Sequence, residues 1–159
     1  MEKLKKSAQI VQDSLLAKGY NNEVIELADS TRTAKEAAEA LECKVAQIAK
    51  SIVFRLKESD NALLVIASGS NRINEEHLSR MIGETLGKAN AEFVKEKTGF
   101  AIGGVSPVTQ DKTIKIVIDE DLLQYDEIWG AAGHPKAVFQ LAPAQLIELT
   151  NGEVSNITG

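Results

Sequence analysis

Apolar positions near the start of the chain keep helical spacing: Leu4, Ala8, Val11, Leu15 and Leu16. They predict a helix over about residues 3–18, stopped by Gly19. Residues 23–27 then read as a short strand. Thr33 with Glu36 three residues later forms a capping box, and Ala34, Ala37, Ala38 and Leu41 follow on a narrow, small-residue helical face. Residues 45–49 read as one further helical turn. Two apolar runs, 51–56 and 63–68, flank the polar stretch Lys57–Asn61, which is the pattern of a hairpin. Asn74 caps a helix to about Ile82, and a shorter helix over about 90–97 ends near Gly99. Residues 100–108 are apolar and rich in glycine. Residues 113–118 alternate as a strand, 122–123 read as a turn of helix, and 127–129 and 137–141 as short strands. Pro143 opens a last helix over 144–149, and the tail after Gly152 forms a final strand. Strands and helices alternate irregularly, and one strand pair is a hairpin. The expected class is α+β, a mixed sheet with helices packed around it, in one domain spanning 1–159 without internal repeat or linker.

Composition narrows the function. At 159 residues, 43% apolar and 26% charged, the chain can bury a core without staples. Its apolar run over residues 63–67 falls far short of the roughly 20 needed for a membrane span. Lys3, Lys5 and Lys6 precede a stretch broken by Gln9, Gln12, Asp13 and Lys18, which is not a signal peptide. A cytoplasmic protein without a membrane partner is expected. The net charge is −5; residues 1–60 hold ten bases and ten acids, and the deficit lies beyond them. This argues against a protein that coats DNA or RNA through phosphate neutralisation, yet leaves room for a local basic patch on one end of an RNA. Arg32, Lys35, Arg55, Arg72 and Lys136 are candidates for such a patch. Two histidines, His77 and His134, and one cysteine, Cys43, cannot furnish a four-ligand zinc site or an internal disulfide. Neither Gly-x-Ser-x-Gly nor a Walker-type phosphate loop occurs, and no metal or cofactor is expected.

Four segments carry candidate chemistry. Ser30-Thr31-Arg32-Thr33-Ala34 combines hydroxyls and a guanidinium able to meet a phosphate, but equally reads as a loop and helix cap. In Ala49-Lys50-Ser51-Ile52-Val53-Phe54, Lys50 stands where a helical turn gives way to an apolar strand. It is either a solvated strand edge or an ammonium aimed into a cleft. Gly99 to Val108 contains Ile102, Gly103, Gly104, Val105, Ser106 and Pro107, a tight turn or a backbone loop lining a pocket. Trp129 to Pro135 surrounds Gly133 and His134 with small residues. There Trp129 reads as core, and the loop as a possible second pocket wall. His77 reads as surface, and Cys43 as a small semi-buried residue.

Taken together and in this order, Thr-Arg-Thr-Ala, Ala-Lys-Ser-Ile-Val-Phe, Gly-Phe-Ala-Ile-Gly-Gly-Val-Ser-Pro and Gly-His-Pro resemble the YbaK/EbsC family. These are free-standing relatives of the editing domain inserted in bacterial prolyl-tRNA synthetases. The resemblance runs from about Val24 to Pro143. It implies a mixed, partly barrel-like sheet surrounded by helices. It also implies hydrolysis in trans of mischarged aminoacyl-tRNA, chiefly tRNA for proline carrying alanine, serine, threonine or cysteine. The family's essential lysine matches Lys50, its glycine-x-x-x-proline loop matches Gly103 to Pro107, and its Gly-His-Pro element matches Gly133, His134 and Pro135. Ser51 holds a place that is often polar and pocket-facing. Thr109 departs from a glycine found at that position in many relatives.

The chemistry so implied needs no protein nucleophile. Lys50, Gly103 and Gly104 are the catalytic expectation, the two glycines as an oxyanion hole of backbone donors. Thr31, Arg32, Ser51, Phe54, Ile102, Val105, Ser106, Pro107, Gly133 and His134 are the expected substrate-binding set, with the acceptor end of an aminoacyl-tRNA as partner and prolyl-tRNA synthetase as a possible second. Two other readings compete with the deacylase: a non-catalytic RNA-binding regulator of the same fold, and a hydrolase of another small ester or amide.

Overall fold

The computed structural model describes residues 4–28, 33–108 and 110–159. Eight strands form one mixed sheet. In chain order the elements are α1 (Lys6–Ala17), β1 (Val24–Glu26), α2 (Ala34–Leu41), β2 (Ile48–Leu56), β3 (Ala62–Ser68), α3 (Glu75–Ile82) and β4 (Leu86–Lys88). They continue with α4 (Ala91–Thr98), β5 (Lys115–Asp119), β6 (Ile128–Ala131), β7 (Ala137–Leu141), α5 (Pro143–Thr150) and β8 (Glu153–Ser155). The strand order is β1-β7-β6-β2-β3-β5-β8, with β4 also paired to β2. Pairs β2/β6, β3/β5 and β5/β8 are parallel; the others are antiparallel. The sheet is not a closed barrel: β1 and β8 stand at its two ends.

The helix starts are where local chemistry put them. The Thr33 hydroxyl oxygen accepts from the Glu36 N–H at 3.1 Å, the Asn74 side chain from His77 N–H at 3.0 Å, and the Asn90 side chain from Phe93 N–H at 2.8 Å. Each satisfies a backbone donor that the first helical turn leaves free.

Strand β3 is the centre of the protein. All seven of its residues are buried, because helices cover both faces of the sheet there. On one face Ala62, Leu64 and Ile66 join α1, α5 and Phe139 of β7 in the largest apolar cluster. On the other, Leu63, Val65 and Ala67 pack with Leu78 of α3 and with Ile157 of the tail. Each buried aliphatic side chain of leucine, isoleucine or valine size contributes about 1.5–3 kcal/mol by leaving water. A third, smaller cluster seats α2, through Ala37 and Ala38, on Ile48 and Trp129. The tail is tied down as well: His77 Nε2 lies 3.0 Å from the Asn156 carbonyl, so this histidine is an anchor rather than plain surface.

Two elements differ from the sequence reading. The helical turn expected over 45–49 is a short 3-10 turn, Val45–Gln47, and β2 begins at Ile48. Ile48 and Ala49 gain a parallel partner in Trp129 and Gly130 of β6, a long-range pairing that local propensity cannot reveal. Lys50 therefore lies within a strand, opposite Ala67, and not at its edge. Strand β4 was not expected; it has three residues, one of them glycine, and exists because β2 offers it an edge.

Candidate active site

The site arises from unequal pairing along β2. One edge is bonded to β3 without interruption from Ala49↔Ser68 to Arg55↔Ala62. The other edge is shared between two strands. β6 meets it only at Ile48 and Ala49, and β4 only at Phe54, Arg55 and Leu56. Among the described residues, no strand pairs with 50–53 on that side. The Ile48 carbonyl accepts from Gly69 N–H at 2.8 Å, and the Leu56 N–H donates to the Asn61 carbonyl at 2.8 Å, both on the β3 side. Alternate residues of an antiparallel strand turn both backbone groups toward the same neighbour. The even-numbered residues of β2 thus serve β3, and Ser51 turns its N–H and C=O into the gap.

Side chains alternate too. Lys50 shares a sheet face with Ile48, which packs under α2, and with Ile52, which packs in the α3 cluster. Ser51 lies on the opposite face with Ala49 and Val53.

Two cavities flank the gap. The first, of about 80 Å³, lies where β2 and β6 part. It is lined by Lys50, Ser51, Gly103, Val105 and Trp129, and by Thr33 at the start of α2. The second, of about 370 Å³, is lined by Ser51, Phe54, Lys88, Ile102, Gly103 and Val105. Ser51, Gly103 and Val105 form the wall common to both.

The electrostatics favour a partly negative guest in the smaller chamber. The half-buried Lys50 ammonium makes no ion pair or hydrogen bond among the described residues. The N-terminus of α2, at Thr33 and Ala34, carries the positive end of its helix dipole into the same chamber. The Ser51 hydroxyl is buried and has no hydrogen-bond partner among the described residues. Leaving such a group unmet costs about 1–3 kcal/mol. Behind α2, burial pushes the Cys43 thiol up, which disfavours the thiolate.

The loop from Ala101 to Val105 faces this gap and rests on the β6–β7 connection. Gly133 N–H donates to the Gly104 carbonyl at 2.9 Å. A Cβ added at Gly104 would lie 2.3 Å from the His134 Cα, so only glycine lets the two loops meet. Gly133 has φ +106°, and a Cβ there would strike the Ser7 carbonyl of α1 at 2.4 Å.

The expected site residues divide accordingly. Lys50, Ser51, Phe54, Ile102, Gly103 and Val105 line one chamber or both. Gly104 does not fit the role of oxyanion donor, because its N–H already donates to the Ala101 carbonyl at 3.0 Å. The Gly103 N–H makes no hydrogen bond among the described residues. Ser106 is fully buried, and its hydroxyl oxygen accepts from Val108 N–H at 3.1 Å, which makes it part of the turn rather than of a pocket wall. Pro107 lines a different cavity beside Lys18 and Gln110. Gly133 and His134 line neither chamber and support the loop from behind. Thr31, Arg32 and the departing Thr109 lie outside the described residues. Trp129, read from sequence as core, is a wall of the smaller chamber. Thr33 and Lys88 join the lining without having been singled out for it; only Thr33, inside the Thr-Arg-Thr-Ala run, carried a signal.

Comparison with known proteins identifies the family and the fold. A family model described as the aminoacyl-tRNA editing domain matches residues 28–149. A solved structure described as a candidate trans-editing enzyme for prolyl tRNA synthetase superposes with a TM-score of 0.92 at 43% identity, covering 99% of each chain. Proline–tRNA ligase of Lactobacillus acidophilus is 34% identical over 111 residues, which are 69% of this chain and 19% of the ligase. A candidate Cys-tRNA(Pro)/Cys-tRNA(Cys) deacylase, EbsC of Enterococcus faecalis, is 25% identical over 127 residues, 79% of this chain and 77% of that one. Among the described residues, no helix is long and apolar enough to cross a membrane.

Proposed function

Because the chain belongs to the aminoacyl-tRNA editing domain family, we propose that it hydrolyses mischarged aminoacyl-tRNA in trans, in the cytoplasm, with tRNA for proline carrying alanine, serine or cysteine as substrate. The observation that carries this reading is the divided gap beside β2, with a lysine in its smaller chamber that has no ion pair among the described residues. An aminoacyl-tRNA has a matching division: a small amino acid, an ester, and a larger terminal nucleoside. The amino-acid side chain enters the chamber of about 80 Å³. The nucleoside occupies that of about 370 Å³, whose Lys88 faces its phosphate. The ester then lies at the shared wall of Ser51, Gly103 and Val105.

Water attacks the ester carbonyl. Its oxygen bonds to the carbonyl carbon, the bond to the ribose oxygen breaks, and a water proton ends on that ribose oxygen. The products are the free amino acid and a tRNA with a free terminal hydroxyl. Negative charge grows on the carbonyl oxygen in between. The Lys50 ammonium and the N–H groups of Ser51 and Gly103 supply donors for it, already fixed in place by the strand and the loop. The Ser51 hydroxyl finds in the substrate or the attacking water the partner it lacks. Correctly charged prolyl-tRNA is spared because its ring exceeds the small chamber. A size sieve of this kind gains about 1–3 kcal/mol per methylene, which suits a second check after a synthetase.

The test is deacylation of tRNA for proline charged separately with alanine, serine, cysteine and proline, by the wild type and Lys50→Ala. Release of a small residue by the wild type, with prolyl-tRNA spared and the variant inactive, is the expected outcome. Binding of charged tRNA without release would identify a non-catalytic regulator instead.

A further inference from the structure

Glu26 ends strand β1 and lines neither chamber. Its Oε2 lies 2.5 Å from His134 Nε2, and both side chains are largely buried, at 23% and 14% exposure. The other ring nitrogen of His134, Nδ1, accepts from the Lys136 backbone N–H at 3.2 Å. A ring nitrogen that accepts cannot carry the proton. The proton therefore sits on Nε2 and is donated to Glu26, which holds the imidazole in one neutral tautomer and one orientation. Glu26 Oε2 also accepts from the Lys5 N–H at 3.3 Å, where α1 begins.

His134 is in turn the floor under the site loop. Its backbone is the surface against which Gly104 packs, its neighbour Gly133 donates to the Gly104 carbonyl at 2.9 Å, and Pro135 lies 3.5 Å from where a Cβ on Gly103 would stand. We infer that Glu26 is a positioning residue for the Gly103 loop, acting through His134. The carboxylate fixes the imidazole, the imidazole fixes the turn from Gly133 to Pro135, and that turn sets where the Gly103 N–H stands relative to Lys50 and Ser51. The catalytic part of this rests on the deacylase reading above; the structural linkage does not.

Two measurements separate the parts. In steady-state deacylation, Glu26→Ala lowers kcat about tenfold with KM nearly unchanged, since small misplacements of catalytic groups act on the rate. Glu26→Gln keeps an oxygen acceptor for Nε2–H and restores the rate to within a few-fold of wild type. The double variant Glu26→Ala/His134→Ala is no slower than His134→Ala alone. A lower melting temperature with an unchanged rate per folded molecule, or additive losses in the double variant, would overturn the inference. Independently of any activity, nitrogen-15 NMR should show His134 as the neutral Nε2–H tautomer in the wild type. Glu26→Ala should move the Gly103 and Gly104 amide signals and leave that of Gly83 in place. Unmoved Gly103 and Gly104 signals overturn the linkage itself. If the wild type releases no amino acid from any charged tRNA, the deacylase reading and the catalytic role of Glu26 both fall, and these amide shifts decide the linkage alone.

Discussion

The two edges of β2 divide the labour of the molecule. Toward β3 it is paired along its length, and β3 itself is bonded on both sides and buried on both faces. Toward β6 and β4 it is paired only at its ends, with Ser51 in the open middle. Backbone groups left unpaired in a buried place are costly, so the gap is a place the fold leaves for a guest. The paired edge holds the unpaired one straight. One strand can thus serve both the core and a cavity-lined gap, because a strand has two edges that need not be treated alike.

The sharpest break of this comparison is chemical. Lys50→Ala should lower single-turnover deacylation by about 10²–10³, the usual cost of one transition-state donor. The melting temperature should scarcely change, since the ammonium makes no ion pair or hydrogen bond among the described residues. The mirror-image variant lies on the paired side. Ile118→Ala in β5 empties a fully buried position beside Ile66 and should cost about 2–5 kcal/mol of stability in denaturant titration. Its rate per folded molecule should stay near wild type. If Ile118→Ala proved slow while fully folded, the two edges would not be separable as described.

The paired side was legible in the sequence. The hydroxyl cap at Thr33 and the amide cap at Asn74 marked two helix starts, the polar run from Lys57 to Asn61 marked the hairpin, and the strand expected over 137–141 matches β7 residue for residue. These features are set by neighbours within a few residues. The gap was not legible, because it depends on which distant strands stop where. β4 has too few residues to show a period, and Ile48 becomes strand only because β6 lies beside it. That Lys50 and Gly103 share a chamber was expected from the family resemblance and not from any local pattern. The same resemblance suggested Gly104 as a donor and His134 as a pocket wall. Only the folded chain shows that the Gly104 N–H is occupied and that His134 turns to a carboxylate 108 residues away in sequence.

Specificity should break more gently than catalysis. Trp129 walls the small chamber and packs with α2. Trp129→Ala enlarges that chamber toward the size of a proline ring. The ratio of kcat/KM for alanyl- over prolyl-tRNA should fall by about tenfold or more, the worth of one to two methylenes of exclusion. A ratio that stays unchanged would place the amino acid in the larger chamber, and the assignment of the two chambers would be reversed.

The smallest effect concerns the far end of the gap, where β4 takes over the edge. Glu58, in the hairpin connection, accepts from the Thr85 N–H and hydroxyl, both at 2.8 Å, just before β4 begins. These bonds hold its carboxyl below the ordinary carboxylate range. A depressed folded-state pKa means a contribution that is present above the unfolded value and is lost as pH falls through the folded one. Glu58→Gln should therefore flatten the decline of the melting temperature below about pH 4.5, where model carboxylates titrate, and lower it slightly at neutral pH. Because Glu58 is exposed, the change is small. Hydrogen exchange gives the finer reading. The amides of β4 should exchange faster in the variant, and those of β3 should not, because the clamp belongs to the interrupted edge alone.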